Sequence, residues 1–163
     1  MRKSAAAVGS SVFMALAPGT VAGLVPWLLT RWQSGHGWLP VRVLGGVLVA
    51  AGAAVLVHAF VRFVVEGLGT PAPVAPTEHL VVGGLYRYVR NPMYVAVVTV
   101  IAGQGLLLAR PVLLAYAALA GAAMWAFATR YEEPTLLRTF GAEYARYRRA
   151  VPGWRPRLRP WRG

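Results

Sequence analysis

Four long stretches of the sequence contain no Asp, Glu, Lys or Arg, and this feature limits the fold more than any other. A helix needs about 20 predominantly apolar residues to cross a bilayer. The chain has 163 residues, of which 13% are charged, against about 25% in an average soluble domain. The pattern predicts an all-α, polytopic membrane protein with about four transmembrane helices. The four stretches are Ser4 to Thr30, Val43 to Val61, Asn91 to Ala109 and Pro111 to Thr129.

The first stretch follows Arg2 and Lys3 and occupies the position of a signal peptide. The apolar part of a signal peptide is about 7–15 residues long. Here the apolar run continues through Pro26 and Trp27. We therefore expect a retained first span.

The third and fourth stretches are separated by Arg110 alone, which predicts an antiparallel helical hairpin. Small residues let helix backbones approach closely in lipid. The glycines within the predicted spans therefore indicate close helix packing. They include Gly45, Gly46, Gly52, Gly103, Gly105 and Gly121.

The cations are divided unequally between the two sides that four spans would create. The chain has 17 Lys and Arg against 5 Asp and Glu, a net charge of +12. The side with both termini carries 14 of the 17 cations, and the other side carries Arg31, Arg42 and Arg110. The positive-inside rule then predicts cytoplasmic termini. Because the cations flank apolar runs, we expect anionic lipids as partners and no nucleic acid.

The source and the metal chemistry are also constrained by composition. Arginine outnumbers lysine sixteen to one beside abundant Ala, Gly, Pro and Val. That usage is typical of a GC-rich bacterial genome, so we expect a bacterial cytoplasmic membrane protein. The sequence has no cysteine, and His36, His58 and His79 are scattered without ligand spacing. We therefore expect no metal site.

An apolar stripe follows the fourth stretch and predicts a C-terminal amphipathic helix at the membrane surface. The stripe consists of Leu136, Leu137, Phe140, Tyr144 and Tyr147. The last residues are rich in Pro, Trp and Arg, which suits an interfacial anchor. We divide this single domain, residues 1–163, into two spans (1–66), a central half (67–152) and a basic interfacial tail (153–163).

Two polar clusters flank the third and fourth stretches. The first runs from Glu78 to Tyr94 and leads into a helix start at Pro92, where free backbone N–H groups can hold an anion. The alternative is an ordinary capped helix. In the second cluster, Pro134 predicts a helix break at Glu133, which would then cap the next helix. A cap does not explain Glu132, whose carboxylate suits a cationic ligand.

Together these segments resemble the isoprenylcysteine carboxyl methyltransferase family and its bacterial relatives, which lie near the phospholipid methyltransferases. The family pattern reads Leu-Val, Gly-x-Tyr, Arg-His-Pro-x-Tyr, Glu-Glu, then Phe-Gly-x-Glu-Tyr-x-x-Tyr. Here it is matched by the cluster from Glu78 to Tyr94, by Glu132 and Glu133, and by Phe140 to Tyr147. The resemblance covers about residues 70–152. It implies a membrane enzyme that uses S-adenosylmethionine without a Rossmann fold.

The resemblance also implies roles for individual residues. Arg130 would face the substrate. Asn91 stands where the family usually has His, and an amide cannot carry charge, so no catalytic residue is assigned. The implied cofactor contacts are Glu78, His79, Leu80, Val81, Tyr86, Asn91, Pro92, Met93, Tyr94 and Glu132.

The sequence favours methyl transfer to an amphiphilic acceptor, with a carboxylate as the preferred group. An ammonium must first lose its proton to a base with a pKa near ambient pH, and His79 is the one plausible base. A carboxylate needs no base at neutral pH, and Arg130 would attract it. Three alternatives stay open: a phospholipid amine N-methyltransferase, an NADPH-dependent sterol-type reductase with a similar Arg-His-Pro-x-Tyr region, and a non-catalytic lipid- or partner-binding membrane protein.

Overall fold

The computed structural model describes residues 3–67 and 78–163, and these residues form helices with no strand between them. The predicted all-α class is therefore confirmed for the described part of the chain. The α-helices are α1 (Lys3–Gly19), α2 (Val25–Thr30), α3 (Leu39–Gly67), α4 (Pro92–Leu107), α5 (Pro111–Phe127), α6 (Glu133–Phe140) and α7 (Ala142–Ala150). Two π-helical segments (Thr20–Leu24 and Ala128–Glu132) and one 3₁₀ turn (Gly84–Arg87) complete the secondary structure.

Two helical stretches are long and apolar enough to cross a membrane. They are Leu39–Glu66, with a mean hydropathy of 2.2, and Pro111–Phe140, with a mean hydropathy of 1.7. The stretches Leu16–Thr30 and Pro92–Leu107 are apolar but shorter. The structure thus supports two of the four predicted spans directly, and the other two stay a prediction.

A π-helical segment joins α1 to α2 just before Pro26, which has no N–H to donate to the preceding turn. The carbonyls of that turn take donors from other helices. Tyr116 donates its hydroxyl to the Val21 carbonyl at 2.7 Å, and Gln104 donates its amide to the Ala22 carbonyl at 2.6 Å. We call the run from α1 through this π-helical segment to α2 the first helical pass. The two bonds attach it to α4 and α5.

Helices α3 and α4 pack backbone against backbone at their glycines. A Cβ atom on Gly45 would lie 2.6 Å from the Gly103 carbonyl oxygen, and one on Gly103 would lie 2.8 Å from the Gly45 carbonyl oxygen. No side chain larger than hydrogen fits at either position without a shift of backbone. The predicted close packing at these two glycines is confirmed.

The turn between α4 and α5 forms one end of the bundle together with the loop that follows Arg31. Gly35 donates its N–H to the Leu108 carbonyl at 2.7 Å, and Arg42 donates to the Leu107 carbonyl at 2.9 Å. The predicted hairpin around Arg110 is therefore present. Which side of a membrane this end faces stays a prediction.

The predicted helix break at Glu133 is wrong. The chain passes from α5 through the π-helical segment into α6, and Glu133 has helical angles (φ −61°, ψ −45°). Pro134 lies in the first turn of α6, where a proline is tolerated because that turn has no N–H partner to lose. The extra residue in the π turn lets the helix continue where we expected it to stop.

The predicted C-terminal surface helix is two helices, and its apolar stripe is largely covered by protein. Gly141 has φ 52° and separates α6 from α7. The stripe residues Tyr144 and Tyr147 are each 2% exposed, and Leu80 and Trp161 pack against this cluster. The prediction of one surface helix is corrected: sequence spacing shows an apolar face but does not show which surface covers it.

Candidate active site

A cavity of about 390 Å³ lies at the end of the bundle where α4 begins. The first helical pass and α5 form an apolar wall of the cavity. The opposite wall comes from the chain between Leu80 and Tyr94 and from α6 and α7. The cavity residues from the apolar wall include Phe13, Ala17, Pro18, Val21, Met124 and Phe127.

Most of the residues predicted to contact a cofactor line this cavity. They are Leu80, Val81, Tyr86, Asn91, Pro92, Met93, Tyr94 and Glu132. Glu78 and His79 are exposed and lie outside the lining, and the same holds for Arg130, the predicted substrate residue. The structure therefore brings two sequence-distant segments together and leaves three of the predicted residues on the surface.

Glu132 is held by a tyrosine from the neighbouring helix. The Tyr94 hydroxyl donates to Glu132 Oε1 at 2.6 Å, across 38 positions in the sequence. Within residues 3–67 and 78–163, no donor contacts the other carboxylate oxygen of Glu132. One oxygen is fixed in place by Tyr94, and the other is available to a ligand in the cavity.

Glu133 has a different environment from its neighbour and does not cap α6. It is 7% exposed, and its carboxylate pairs with Arg90 at 2.6 Å and with Arg148 at 3.2 Å. Arg90 also donates to the Tyr144 hydroxyl and to the Val151 carbonyl. This network joins the start of α4 to α6 and α7, which gives Glu133 a structural role.

Two buried tyrosines bring hydroxyl groups to the cavity. Tyr147 donates to the Tyr86 carbonyl at 2.7 Å. Tyr86 is 5% exposed, and its own hydroxyl has no hydrogen-bond partner in the described part of the chain. Burial raises the pKa of both tyrosines, so both are protonated at neutral pH. An unpartnered buried hydroxyl is uncommon, and here it lies in the wall of a cavity.

Asn91 lines the cavity but is occupied by the C-terminal tail. Its side-chain amide donates to the Gly153 carbonyl at 3.1 Å, and its backbone N–H donates to the same oxygen at 3.2 Å. The side-chain amide at this position thus has a backbone acceptor in the tail. No pattern in the sequence indicates this contact.

The tail packs back over the 3₁₀ turn and the start of α4. Trp161 donates its backbone N–H to the Arg87 carbonyl at 3.0 Å, and Arg157 donates likewise to the Tyr88 carbonyl at 2.9 Å. The side chains of Arg155, Arg159 and Arg162 are exposed. An interfacial role for these arginines stays a prediction.

Sequence reasoning missed part of the cavity. Phe13, Met124 and Phe127 are apolar residues within predicted spans, where nothing distinguishes a cavity wall from a lipid-facing surface. The spacing of Tyr144 and Tyr147 showed a shared face, although not that the face borders a cavity. A polar corner therefore meets an apolar wall, an arrangement that can hold a polar, cationic group next to a hydrocarbon group.

The sequence profile of the phospholipid methyltransferase family matches residues 41–143. The matched region runs from α3 to the start of α7 and includes Glu132 and the cavity residues between Leu80 and Tyr94. No match is found among curated proteins. The assignment decides the enzyme class in favour of a methyltransferase, and the family implies use of S-adenosylmethionine. The chain therefore belongs to the phospholipid methyltransferase family, whose members are integral membrane methyltransferases related to the isoprenylcysteine carboxyl methyltransferases.

Proposed function

We propose that the protein transfers a methyl group from S-adenosylmethionine to an amphiphilic acceptor whose reactive group is a carboxylate. The observation that carries this proposal is the single cavity that joins the family-like segment from Leu80 to Tyr94, the carboxylate of Glu132 and an apolar wall. Within the volume of about 390 Å³ there is room for a small organic ligand, since such sites commonly measure about 300–1,000 Å³.

The residues present fit the cofactor. Among the described residues, one carboxylate oxygen of Glu132 has no donor, which suits a cationic group, and the buried hydroxyl of Tyr86 has no partner. Leu80, Val81 and Met93 supply an apolar surface beside them. When bound, S-adenosylmethionine supplies an electrophilic methyl group on a sulfonium. We expect Glu132 to lie near the positive charge of the cofactor and Tyr86 to bond to one of its polar groups.

The apolar wall suits the hydrocarbon part of an acceptor. Phe13 and Val21 from the first helical pass line this wall of the cavity together with Phe127 of α5. Holding the acceptor there places its reactive group beside the cofactor. Positioning of two reactants can contribute several kcal/mol to a rate through effective molarity. No proton transfer is needed if the acceptor is already an anion.

The titratable groups of the cavity favour a carboxylate acceptor. No histidine lines the cavity in the described part of the chain, because His79 is exposed on the surface. Glu133 is paired with two arginines, and Glu132 is bonded to Tyr94. The described groups that line the cavity thus include no imidazole. Arg130, the residue expected to attract the acceptor, lies outside the lining. The preference for a carboxylate over an amine therefore rests on the absence of a histidine from the described lining.

A phospholipid amine is the second candidate acceptor. The observation in its favour is the unpartnered oxygen of Glu132, which can accept a proton or hold an ammonium group. With one oxygen bonded to Tyr94, the Glu132 carboxylate cannot bind the charge of the cofactor and the ammonium of the acceptor equally well at the same time. For that reason we rank the amine below the carboxylate.

We also propose four membrane spans and cytoplasmic termini in a bacterial membrane. This orientation follows from the distribution of 14 cations against 3. Reporters fused at Met1 and Gly163 should both indicate the cytoplasm, and a reporter near Gly35 should indicate the exterior. A C-terminal reporter on the exterior would contradict the four-span arrangement.

The acceptor class is tested with methyl-labelled S-adenosylmethionine, purified protein and a total lipid extract. We expect label in a lipid that releases volatile methanol in mild alkali, because a methyl ester hydrolyses and an N-methyl group does not. Alkali-stable label on a phosphatidylethanolamine-derived lipid would overturn the carboxylate and establish the second candidate. The Glu132→Gln variant serves as the control for transfer at this cavity.

A further inference from the structure

Trp154 lies in the tail, outside the region matched by the family, and stacks on a residue of the cavity. Its ring and the ring of Tyr94 have centroids 6.1 Å apart and planes inclined by 13°. Offset stacking at 4.5–7 Å is a favourable arrangement for aromatic pairs. Tyr94 is the residue that donates its hydroxyl to Glu132 at 2.6 Å. The tail therefore reaches Glu132 through one intervening side chain.

The tail segment before Trp154 is fixed to the start of α4. Arg90 donates its backbone N–H to the Pro152 carbonyl at 2.9 Å and its Nε to the Val151 carbonyl at 2.9 Å. Asn91 donates both its backbone N–H and its side-chain amide to the Gly153 carbonyl. Four hydrogen bonds thus set the position from which Trp154 extends toward Tyr94.

Glycine at position 153 permits this close approach. A Cβ atom there would lie 3.0 Å from Nη2 of Arg90 and 3.5 Å from the side-chain nitrogen of Asn91. The first distance is shorter than an ordinary van der Waals contact. A Cβ atom at this position would require the Arg90 guanidinium or the tail to shift by a few tenths of an ångström.

We infer that Trp154 is a positioning residue: it holds the Tyr94 ring so that the hydroxyl points to one carboxylate oxygen of Glu132 and leaves the other for the cofactor. Without the stacked indole, the phenol ring gains freedom, and the bond that orients the carboxylate weakens. This inference rests on the proposed role of Glu132 in cofactor binding. It assigns a function to a segment that composition alone marks as a membrane anchor.

The test is a double-mutant cycle in which S-adenosylmethionine affinity is measured by calorimetry on the full chain. Tyr94→Phe should weaken affinity about tenfold, the value of a hydrogen bond to a charged group. Trp154→Leu should weaken affinity about fivefold, the value of an aromatic pair. If Trp154 acts through the Tyr94 hydroxyl, the double variant should be no weaker than Tyr94→Phe alone. Losses that multiply to about fiftyfold would overturn the inference.

Trp161 provides a matched control in the same tail. The centroids of its ring and the Tyr147 ring lie 5.4 Å apart. Among the described residues, the ring that stacks on Tyr94 is that of Trp154. Trp161→Leu should lower thermal stability and change affinity less than twofold. An equal loss of affinity in Trp161→Leu would show that the tail acts only by stabilising the fold, and would overturn the inference.

Two further variants keep the test decisive. Trp154→Phe retains a flat ring and should restore affinity to within about twofold of the parent, and Trp154→Gln replaces Trp154→Leu if the latter does not fold. In turnover by the Trp154→Leu variant, KM for the cofactor should rise while kcat stays within twofold.

A parent protein that binds no S-adenosylmethionine would refute the proposed function itself. A parent that binds but shows multiplicative losses would refute only the role of Trp154.

Discussion

The two ends of the helical bundle differ in what holds the helices together. At the end with the α4–α5 turn, α3 and α4 touch through the backbones of Gly45 and Gly103, and one side-chain bond joins Arg42 to the Leu107 carbonyl. At the other end, side chains distant in sequence hold the elements through polar bonds. Arg90 reaches Glu133 across 43 positions, and Tyr94 reaches Glu132 across 38 positions.

The difference shows how a short chain can hold its helices together and still enclose a cavity. At the glycine end, α3 and α4 approach closely because Gly45 and Gly103 have no side chain. That leaves the polar bonds at the cavity end to set the shape of an open volume of about 390 Å³. We therefore expect substitutions at the two ends to affect stability and ligand binding in different proportions.

The largest expected loss of stability comes from Arg90→Met at the cavity end. This change leaves the carboxylate of Glu133, whose side chain is 9% exposed, with only the half-exposed Arg148. Removing one partner of a buried pair costs about 3–5 kcal/mol. The loss is measured by denaturant titration of the purified protein in detergent.

Arg148→Met is the matched control for Arg90→Met, because both arginines pair with the same carboxylate. The side chain of Arg148 is 50% exposed, and exposed pairs contribute about 0–1 kcal/mol. Equal losses in the two variants would mean that Glu133 is not buried as described, and that the cavity end is held by other contacts.

The next effect is expected at the glycine end, where Gly45→Ala places a Cβ atom 2.6 Å from the Gly103 carbonyl oxygen. Backbone must move to relieve this contact, and such overpacking costs about 1–3 kcal/mol. At Gly46 a Cβ atom would meet only Leu107 Cδ1, at 3.7 Å. Gly46→Ala should therefore stabilise the helix by about 0.5–1 kcal/mol. Unfolding titrations that give both variants the same sign would refute backbone contact between α3 and α4.

The smallest effect is expected at Gln104, which lies next to Gly103 and bonds to the π-helical segment between α1 and α2. Gln104→Leu removes the donor to the Ala22 carbonyl and should cost about 1 kcal/mol. Thr99→Val is a suitable control because the Thr99 hydroxyl bonds to the Val95 carbonyl of its own helix. The same titration should show less destabilisation for Thr99→Val. If Thr99→Val lost as much stability as Gln104→Leu, the bond from Gln104 to Ala22 would not be what attaches the first helical pass to α4.

Patterns with a local cause were predicted from the sequence. Pro92 and Pro111 each open a helix, and the hairpin lies at Arg110. In each case the determining residues are neighbours along the chain, so spacing was enough to predict them.

Features that depend on distant segments were not predicted. The partners of Glu133 come from α7 and from the chain before α4, and no local pattern relates it to Arg90. Backbone carbonyls of the tail accept hydrogen bonds from Arg90 and Asn91. Because any residue has a backbone carbonyl, such contacts do not show in the sequence. Pro134 predicts a break at Glu133 because the residue before a proline is disfavoured in the α region. Glu133 nevertheless keeps helical angles, since the helix continues into it from a π turn.

The most direct test of the account is calorimetric titration of S-adenosylmethionine into the parent protein and into two neighbouring variants, Glu132→Gln and Glu133→Gln. We predict one binding site per chain in the parent. Glu132→Gln should lose about 1.5–3 kcal/mol of binding free energy, the value of a hydrogen bond to a charged group. Glu133→Gln should keep its affinity within about threefold and lose stability instead, because its carboxylate pairs with Arg90 and Arg148. Equal losses of affinity in the two variants, or no loss in Glu132→Gln, would contradict the assignment of the cavity as the cofactor site.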